Sequence, residues 1–500
     1  VFLLLAASAS ASHTAPFLLA AFRRLPPEDE LCLFSLPGLA PGKESSHMTD
    51  FSKPGLSSPE ITRRYLAYFR ERGHLEIAGA PLTASESTLF VIAGMQPLLP
   101  WLRGQMPPPA PRLTATQRCL RMDDMEALGS NGRTLSSLNM LGNWSIGDYG
   151  KHEAIGYAVE LMDMLGVDRS NVWVTVFAGD PASGLPPDEE TIAEWRRVGQ
   201  PEERIVPLGP DDNLWTMYGP GPCGPDTELF MDLGEAVGCG LPTCRPGCSC
   251  ERFLEFWNLV FIEYEWLPDG SYAPLPLRSV DTGMGLERIA AVLQHKLTLF
   301  ETDLFAGAHE RLAELAPADH DTPARQRARR VIVDAVRSAL YISLAGVVPR
   351  PDGHGYVIRR LLRRAARHGR VLGLEQPFLG ELVAPIIERG EDLFSPDERR
   401  HAPAIAALLT DEERRFQRVL TTGLRLLDRM KPDAGEIISG EQLFRLHAER
   451  GFPADLASEI LAERGIVVDW PGFEAAMERH HTISRVSATN RFGANDGLTE

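Results

Sequence analysis

Five hundred residues with 44% hydrophobic and 24% charged side chains describe a globular chain with room for about two to four domains and a sizeable core. A formal net charge of -17 argues against broad, nonspecific adhesion to nucleic acid, so any such contact requires a local basic surface.

The opening VFLLLAASASASHTAPFLLAAF has the apolar run and small residues of an export signal, but no Lys or Arg precedes Arg23, so the basic start of such a signal is missing. It is too short and interrupted to span a membrane. Residues 1–47 are expected to be an upstream extension, with the folded chain beginning near Met48. Residues 57–75 read as a helix: Ser58 or Pro59 opens it, Glu60 lies in its first turn, Ile61, Tyr65, Leu66, Tyr68 and Phe69 give it an apolar side, and Gly73 stops it. Residues 85–95, SESTLFVIAGM, read as a short strand closed by a glycine turn. TQRCLR at 116–121 reads as a strand ending in Arg121, and VWVTVF at 172–177 as a buried strand. The Pro/Glu-rich residues 180–203 have helical spacing between turn residues and suit the surface. In the Gly/Pro loop DNLWTMYGPGPCG at 212–224, Trp215 suits the wall of a pocket.

Four of the seven cysteines follow at Cys239, Cys244, Cys248 and Cys250. In a chain kept in a reducing compartment, such a cluster points to Zn2+ rather than to disulfides, although C-x4-C-x3-C-x-C is not a zinc-finger spacing and four free thiols remain the alternative. EFWNLVFIE at 255–263 reads as a central strand in which Asn258 is the odd polar residue. It must either pair within the structure or serve a ligand. Residues 279–294, SVDTGMGLERIAAVLQ, then run from the end of a strand through Asp281, Gly283 and Gly285 into a helix whose buried side is Ile289, Ala290, Val292 and Leu293. Arg288 stands about one turn into that helix, where its dipole favours a phosphate. A dinucleotide fingerprint is rejected, because arginine replaces the third glycine and no ribose-binding acid follows.

This last string resembles motif 3 of the class II aminoacyl-tRNA synthetases, and its full sixteen residues resemble the alanyl-tRNA synthetases in particular. The resemblance extends over residues 50–490. It implies an α/β (α+β) fold, a class II antiparallel sheet flanked by helices and followed by a mostly helical domain. The division expected is 1–47 extension, 48–305 adenylation domain, 306–490 tRNA-recognition-like domain and 491–500 tail. The family's editing and C-terminal domains have no counterpart in this sequence, from which a monomer is expected. The resemblance also implies ATP with Mg2+, alanine and tRNA as partners, in the cytoplasm and without a membrane.

Residue by residue, the resemblance assigns Arg121 and Arg288 to catalysis by holding phosphate, and Arg121, Trp215, Phe256, Trp257, Gly285 and Arg288 to ATP. It assigns Trp215, Asn258 and Asp281 to alanine. Asp281 suits an α-ammonium group, which it would orient and select as an ion pair in a dry pocket. Arg121 suits the α-phosphate, where a planar guanidinium meets developing charge with directed hydrogen bonds. There are departures. Ile92 stands for Asn, Leu135 for a histidine near ATP and Asn139 for Glu, and the loop lysine after Arg121 is missing. MLGNWSIGDYGK at 140–151 then returns to the family pattern.

From residue 306 the sequence reads as helical. In GYVIRRLLRRAARHGR, residues 355–370, a 100° turn per residue puts Arg359, Arg360, Arg363, Arg364, Arg367 and Arg370 on one arc and Ile358, Leu361, Leu362, Ala365 and Ala366 opposite. Six arginines on one face repel unless acids or phosphates oppose them, so they are expected to meet either RNA or acidic neighbours of the same chain. The resemblance places this helix in tRNA recognition, preceded by a matching helix with Arg329, Arg330, Asp334 and Arg337, where Ala335 replaces a histidine. Two residues that read tRNA identity in the family become Pro351 and Ala448, neither able to make the missing hydrogen bonds. Three outcomes follow: an alanine–tRNA ligase-like enzyme, a paralogue that alanylates another acceptor, or an inactive RNA-binding protein.

Overall fold

The computed structural model describes residues 55–480, apart from 86, 123–124, 126–127, 218, 318–319, 431–436 and 463. The expectations for residues 1–47 and 491–500 lie outside the described residues. Those described all belong to one unit, Lys53–Glu500.

The strands form where β-branched and aromatic residues run together. They are β1 (Leu75–Glu76), β2 (Arg112–Leu120), β3 (Ser137–Ile146), β4 (Val172–Phe177), β5 (Ile205–Leu208), β6 (Leu214–Trp215), β7 (Gly221–Asp232), β8 (Phe253–Trp266) and β9 (Tyr272–Gly285). They join in one sheet of order β1-β2-β3-β9-β8-β7-β4-β5, with β6 beside β7. The pairs β2/β3, β3/β9, β9/β8, β8/β7 and β7/β4 are antiparallel, while β1/β2 and β4/β5 are parallel. This is the expected α/β architecture with a mostly antiparallel sheet.

The helix Ser58–Glu71 is capped by Ser57, whose side chain accepts the Glu60 backbone N–H, and the chain leaves it through Gly73 at φ 81°. Its apolar side and that of the helix Leu286–Leu293 cover one face of the sheet. After Glu301 the chain is helical, with Asp303–Leu315, Pro323–Leu344, Gly353–Val371 and Pro396–Met430 as the main elements. One hydrophobic core runs from Ile61 through the sheet and these helices to Ile466. A second, smaller cluster lies on the other face, around Trp144, Leu113, Met95 and Leu102.

The strand expected at 85–95 is corrected: this stretch is a series of bends and turns. It touches its neighbours singly, through Val91 N–H to Leu82 O and Leu120 N–H to Val91 O, both 2.8 Å, because it folds over the tryptophan side of the sheet instead of joining it. Among the described residues no helix is long and apolar enough to cross a membrane.

Candidate active site

Register decides which side chains share the open face of the sheet. Asp281 of β9 lies opposite Trp144 of β3 and Val260 of β8; Gly283 lies opposite Gly142 and Asn258; and Asn258 lies opposite Glu228 of β7. Side chains alternate along a strand, so Asp281, Asn258, Trp144, Asp226 and Glu228 face the same way. The glycines between them are spatial requirements. A Cβ on Gly142 would stand 2.2 Å from the Trp144 ring, and one on Gly283 would stand 2.8 Å from Met140 Sδ. With no side chain on Gly142, Trp144 lies over its own strand, and a Cβ on Gly94 of the covering loop would stand 3.1 Å from the same ring.

Tucked in this way, the indole donates from Nε1 to Asp281 Oδ1 at 2.6 Å. Asp281 is 8% exposed, and burial raises its pKa to about 7, against the lowering effect of Trp144. Asp226 forms the second acid of the pocket. It accepts from Asn258 Nδ2 at 2.7 Å and from Asn213 Nδ2 at 3.1 Å, and burial again lifts it to about 7. Asn258 Oδ1 and Asn213 Oδ1 are buried without a hydrogen-bond partner among the described residues. Unsatisfied amide oxygens beside half-neutral acids form a site suited to a small cationic group with hydrogens to donate. Trp215, half-buried, joins the apolar cluster of Trp144 and Met95 at its edge.

The Arg288 end of the cleft lies further along the same strands. Gly285 ends β9, and the side chain of Arg288 folds back within 3.3–3.5 Å of where its Cβ would be. The guanidinium pairs with the Glu255 carboxylate and donates to Glu255 O at 3.1 Å. Burial first, and then Glu255 and Asp226, push the Glu228 carboxyl well above the carboxylate range. Arg121 follows directly after β2, its Nε donating to Ile92 O at 3.2 Å, so the residue standing for Asn acts here through its backbone. From Asp281 to Gly285 is about 14 Å of strand, enough for a small amino acid joined to a nucleotide.

Phe256 and Trp257 are corrected. Both are 1% exposed in the main core; the Trp257 ring meets Tyr65 at 6.2 Å and its Nε1 donates to Thr282 Oγ1 at 3.3 Å, on the helix-covered side. They support the cleft from behind. Leu135 is also a core residue. Asn139 is bound into a buried clamp: its backbone and side chain donate to the Glu287 carboxylate at 3.0–3.1 Å, Arg337 pairs with the same carboxylate, and both polar ends reach Tyr341. Nearby, Ser136 N–H donates to Asp334 at 3.0 Å. The helix Pro323–Leu344 is thereby joined to the start of β3 and to the residue next to Arg288.

The arginine helix, Gly353–Val371, is also corrected in part. Its arc exists, but other elements cover it. Arg359 Nε donates to Glu412 at 2.8 Å, Arg360 lies 3.6 Å from Asp455, Arg364 lies 3.7 Å from Glu459 and donates to Met125 O, and Arg370 reaches Thr421 at 3.2 Å and Glu375 at 3.5 Å. Arg363 lies over the Phe416 ring and, with Arg350, Pro351, Arg359 and Arg415, lines a cavity of about 410 Å³. Arg367 is half-buried and engaged as well. Ala448 is exposed on the helix Gly440–Arg450.

Reasoning from sequence missed Trp144, Asp226 and Asn213. The available signal was a polar residue within a strand, which singled out Asn258 and applies equally to Asp226 in GPDTELF.

The family model described as "tRNA synthetases class II (A)" matches residues 60–497. The chain is 38% identical to the alanine–tRNA ligase of Acetivibrio thermocellus over 444 residues, covering 87% of this chain and 49% of that protein. It is 39% identical to the alanine–tRNA ligase of Dehalococcoides mccartyi, over 88% of this chain and 50% of that one. It is 40% identical to the alanine–tRNA ligase of Desulforamulus reducens, over 86% and 49%. The chain spans about half the length of the curated relatives it matches.

Proposed function

This chain belongs to the class II (A) tRNA synthetases, and we propose that it activates alanine with ATP to alanyl-adenylate and passes the alanyl group to the 3′ end of a tRNA. The observation that carries the reading is the Trp144–Asp281 pair beside Asn258 and Asp226, on the same strands that lead to Arg288. Asp281 takes the α-ammonium group, with Trp144 fixing the carboxylate's direction. Asn258 Oδ1 supplies an acceptor, and the indole of Trp144 with the edge of Trp215 gives the small side chain an apolar wall. Selection between alanine, glycine and serine in such a pocket rests on about 1–3 kcal/mol.

The carboxylate oxygen of alanine attacks the α-phosphorus in line. A C–O–P bond forms, the bond from that phosphorus to the bridging oxygen breaks, and pyrophosphate leaves with the electron pair. Arg121 and Arg288 stabilise the charge that grows on the phosphate oxygens, and proximity supplies much of the remainder. Glu255 and Asp226 help push the Glu228 carboxyl up, and these side chains would offer hard oxygen donors to an Mg2+ ion entering with ATP. Bound there with ATP, the ion would neutralise pyrophosphate. Trp257 and Phe256 hold β8 in place from the core.

We assign residues 48–305 to adenylation and 306–490 to acceptor binding, in a cytoplasmic setting where ATP is supplied and thiols stay reduced. One observation favours a second reading, the alanylation of a different acceptor. Four of the six arginines expected to hold RNA meet acids of their own chain, and Pro351 and Ala448 offer no side-chain hydrogen bond. What supports tRNA is the cavity beside Pro351, where Arg350, Arg363 and Arg415 converge. Amino-acid-dependent exchange of pyrophosphate into ATP, measured with alanine, glycine and serine and followed by addition of tRNA, tests both readings. Exchange with alanine and charging are expected. Exchange without charging selects the other acceptor, and no exchange overturns the adenylation reading.

A further inference from the structure

We propose that Cys239, Cys244, Cys248 and Cys250 hold one structural Zn2+ ion that clamps the connection between β7 and β8 and so fixes the first residues of β8. The four Sγ atoms all lie within 4.8 Å of one another, with Cys239 and Cys248 at 3.8 Å and Cys244 and Cys250 at 3.5 Å. A disulfide needs its sulfurs at about 2.05 Å, so these are not bonded pairs. Four thiolates at about 2.3 Å from a central zinc ion stand about 3.8 Å apart along the edges of their tetrahedron, close to the two pair distances and within reach of the whole set by a small contraction.

The backbone is turned to suit. Cys244 N–H closes a turn on Leu241 O and Cys248 N–H closes one on Arg245 O, each at 3.0 Å, while Gly240 and Gly247 take positive φ of 74° and 91°. The unusual spacing of the cysteines thus becomes two short loops, each returning a sulfur to one point. Binding displaces the thiol protons to solvent and leaves a site of net charge −2, beside Arg245 and Arg252.

The clamp has a structural purpose that spacing alone does not show. β7 ends at Asp232 and β8 begins at Phe253, so a long excursion must return in register. Its base is closed by Arg252, which meets both oxygens of Asp232 at 2.7 Å and accepts Leu233 N–H at 2.8 Å. The cluster lies immediately beyond, and Gly247 rests on Leu208 at the sheet edge. The first three residues of β8 hold two arginines: Phe253 O accepts from Arg133 Nη1 at 2.6 Å, and Glu255 holds Arg288 of the cleft. The excursion can loosen β8 at the phosphate-facing end while leaving Asp281 in place, so the ion acts on ATP more than on alanine. This consequence rests on the adenylation reading; the metal site does not.

The test begins with the full chain, purified under reduction and without chelators. One zinc per chain is expected by elemental mass spectrometry, with these four cysteines protected from alkylation until a strong chelator is added. C239S and C250S should each lose the zinc, and C32S should keep it. If the variants aggregate, cobalt added to stripped wild-type protein decides, because tetrahedral thiolate coordination gives cobalt an intense charge-transfer spectrum. In exchange assays, stripping should raise KM for ATP by about tenfold or more, through misplacement of Arg288, with KM for alanine nearly unchanged and zinc restoring the original value. Metal-free, folded protein whose four thiols alkylate at once, or disulfides joining them in protein from intact cells, would overturn the site. A zinc-loaded protein inactive in exchange would leave the site standing and remove the adenylation reading.

Discussion

The Asp281 end of the cleft and the arginine helix are both sets of ionisable groups carried on elements with an apolar side, and they differ in how completely the chain satisfies them. In the cleft Asp281 accepts from the Trp144 indole, and Asn258 and Asn213 each keep a buried oxygen unpaired among the described residues. On the arginine helix Glu412, Asp455, Glu459 and Glu375 meet four of the charges, while Arg363 Nε and Arg364 Nε stay buried without a hydrogen-bond partner among the described residues. A set left without countercharge costs free energy in the absence of a ligand and is retained where a ligand completes it; a set whose charges are mostly paired holds helices together. By that criterion the cleft is the stronger binding site, and the arginine helix is first an internal fastening whose residual binding capacity is concentrated at the Arg363 cavity.

The largest effect that separates the two is expected from Asp281→Asn. The amide keeps an oxygen for the Trp144 N–H but loses the charge for an ammonium group. The loss of a desolvated ion pair, about 3 kcal/mol, should lower kcat/KM for alanine on the order of 100-fold in pyrophosphate exchange, with KM for ATP little changed. An equal loss for both substrates would mean that Asp281 maintains the sheet, and the contrast with the arginine helix would fail.

The next effect concerns stability. Arg359→Ala leaves Glu412, 6% exposed, without its partner and should destabilise the fold by about 2 kcal/mol in chemical denaturation. Glu412→Gln combined with it should recover part of that loss, giving a coupling energy on the order of 1 kcal/mol. If Arg359 instead faces RNA, the single variant would fold normally and only RNA affinity would fall.

Much of this arrangement was legible in the sequence. VWVTVF, EFWNLVFIE and the string at 279–294 became strands β4, β8 and β9 and the helix after them because a run of β-branched and aromatic residues, or a glycine turn before an apolar arc, is local information. Trp144 and Asp226 were not found because their positions depend on register across four strands, which local spacing does not contain. The stretch SESTLFVIAGM looked like a strand for the same local reason. Its bends bring Gly94 against the Trp144 ring, a contact made across the fold that local spacing does not contain. The helical wheel gave the arginine arc correctly, but its cover comes from residues 412, 455 and 459, too far along the chain for any window to see. Phe256 and Trp257 illustrate the same limit, since a neighbouring Asn258 in the cleft does not imply that they share its face.

A third difference appears with pH. The raised pKa values of Asp226 and Asp281 mean that the empty folded chain holds their protons more tightly than the unfolded chain does. Their contribution to stability is full below the ordinary carboxylate range and is lost as pH rises through about 7. Binding an ammonium group requires the opposite state. kcat/KM for alanine should therefore fall as pH drops below about 7, by about tenfold per unit for each carboxylate that must be ionised. Asp226→Asn should leave a shallower acid limb than wild type. Equal limbs would assign the titration to Asp281 alone.

The smallest effect lies at the far end of the arginine helix and probes whether its charges are held inward. Arg370 reaches Thr421 Oγ1 at 3.2 Å and Glu375 at 3.5 Å, but Glu375 is 77% exposed, so that pair is screened and adds little. The threonine hydroxyl is the more definite restraint. Thr421→Val keeps the volume and removes the acceptor, and should cost at most about 1 kcal/mol in thermal unfolding with alanine exchange unaffected. RNA affinity supplies the informative reading. An arginine fastened to its own chain must be released before it can meet a phosphate, so freeing it should leave RNA affinity unchanged or slightly higher. A lower affinity would mean that Thr421 had been presenting Arg370 to the RNA, and that this end of the helix is built for a ligand in the same way as the cleft.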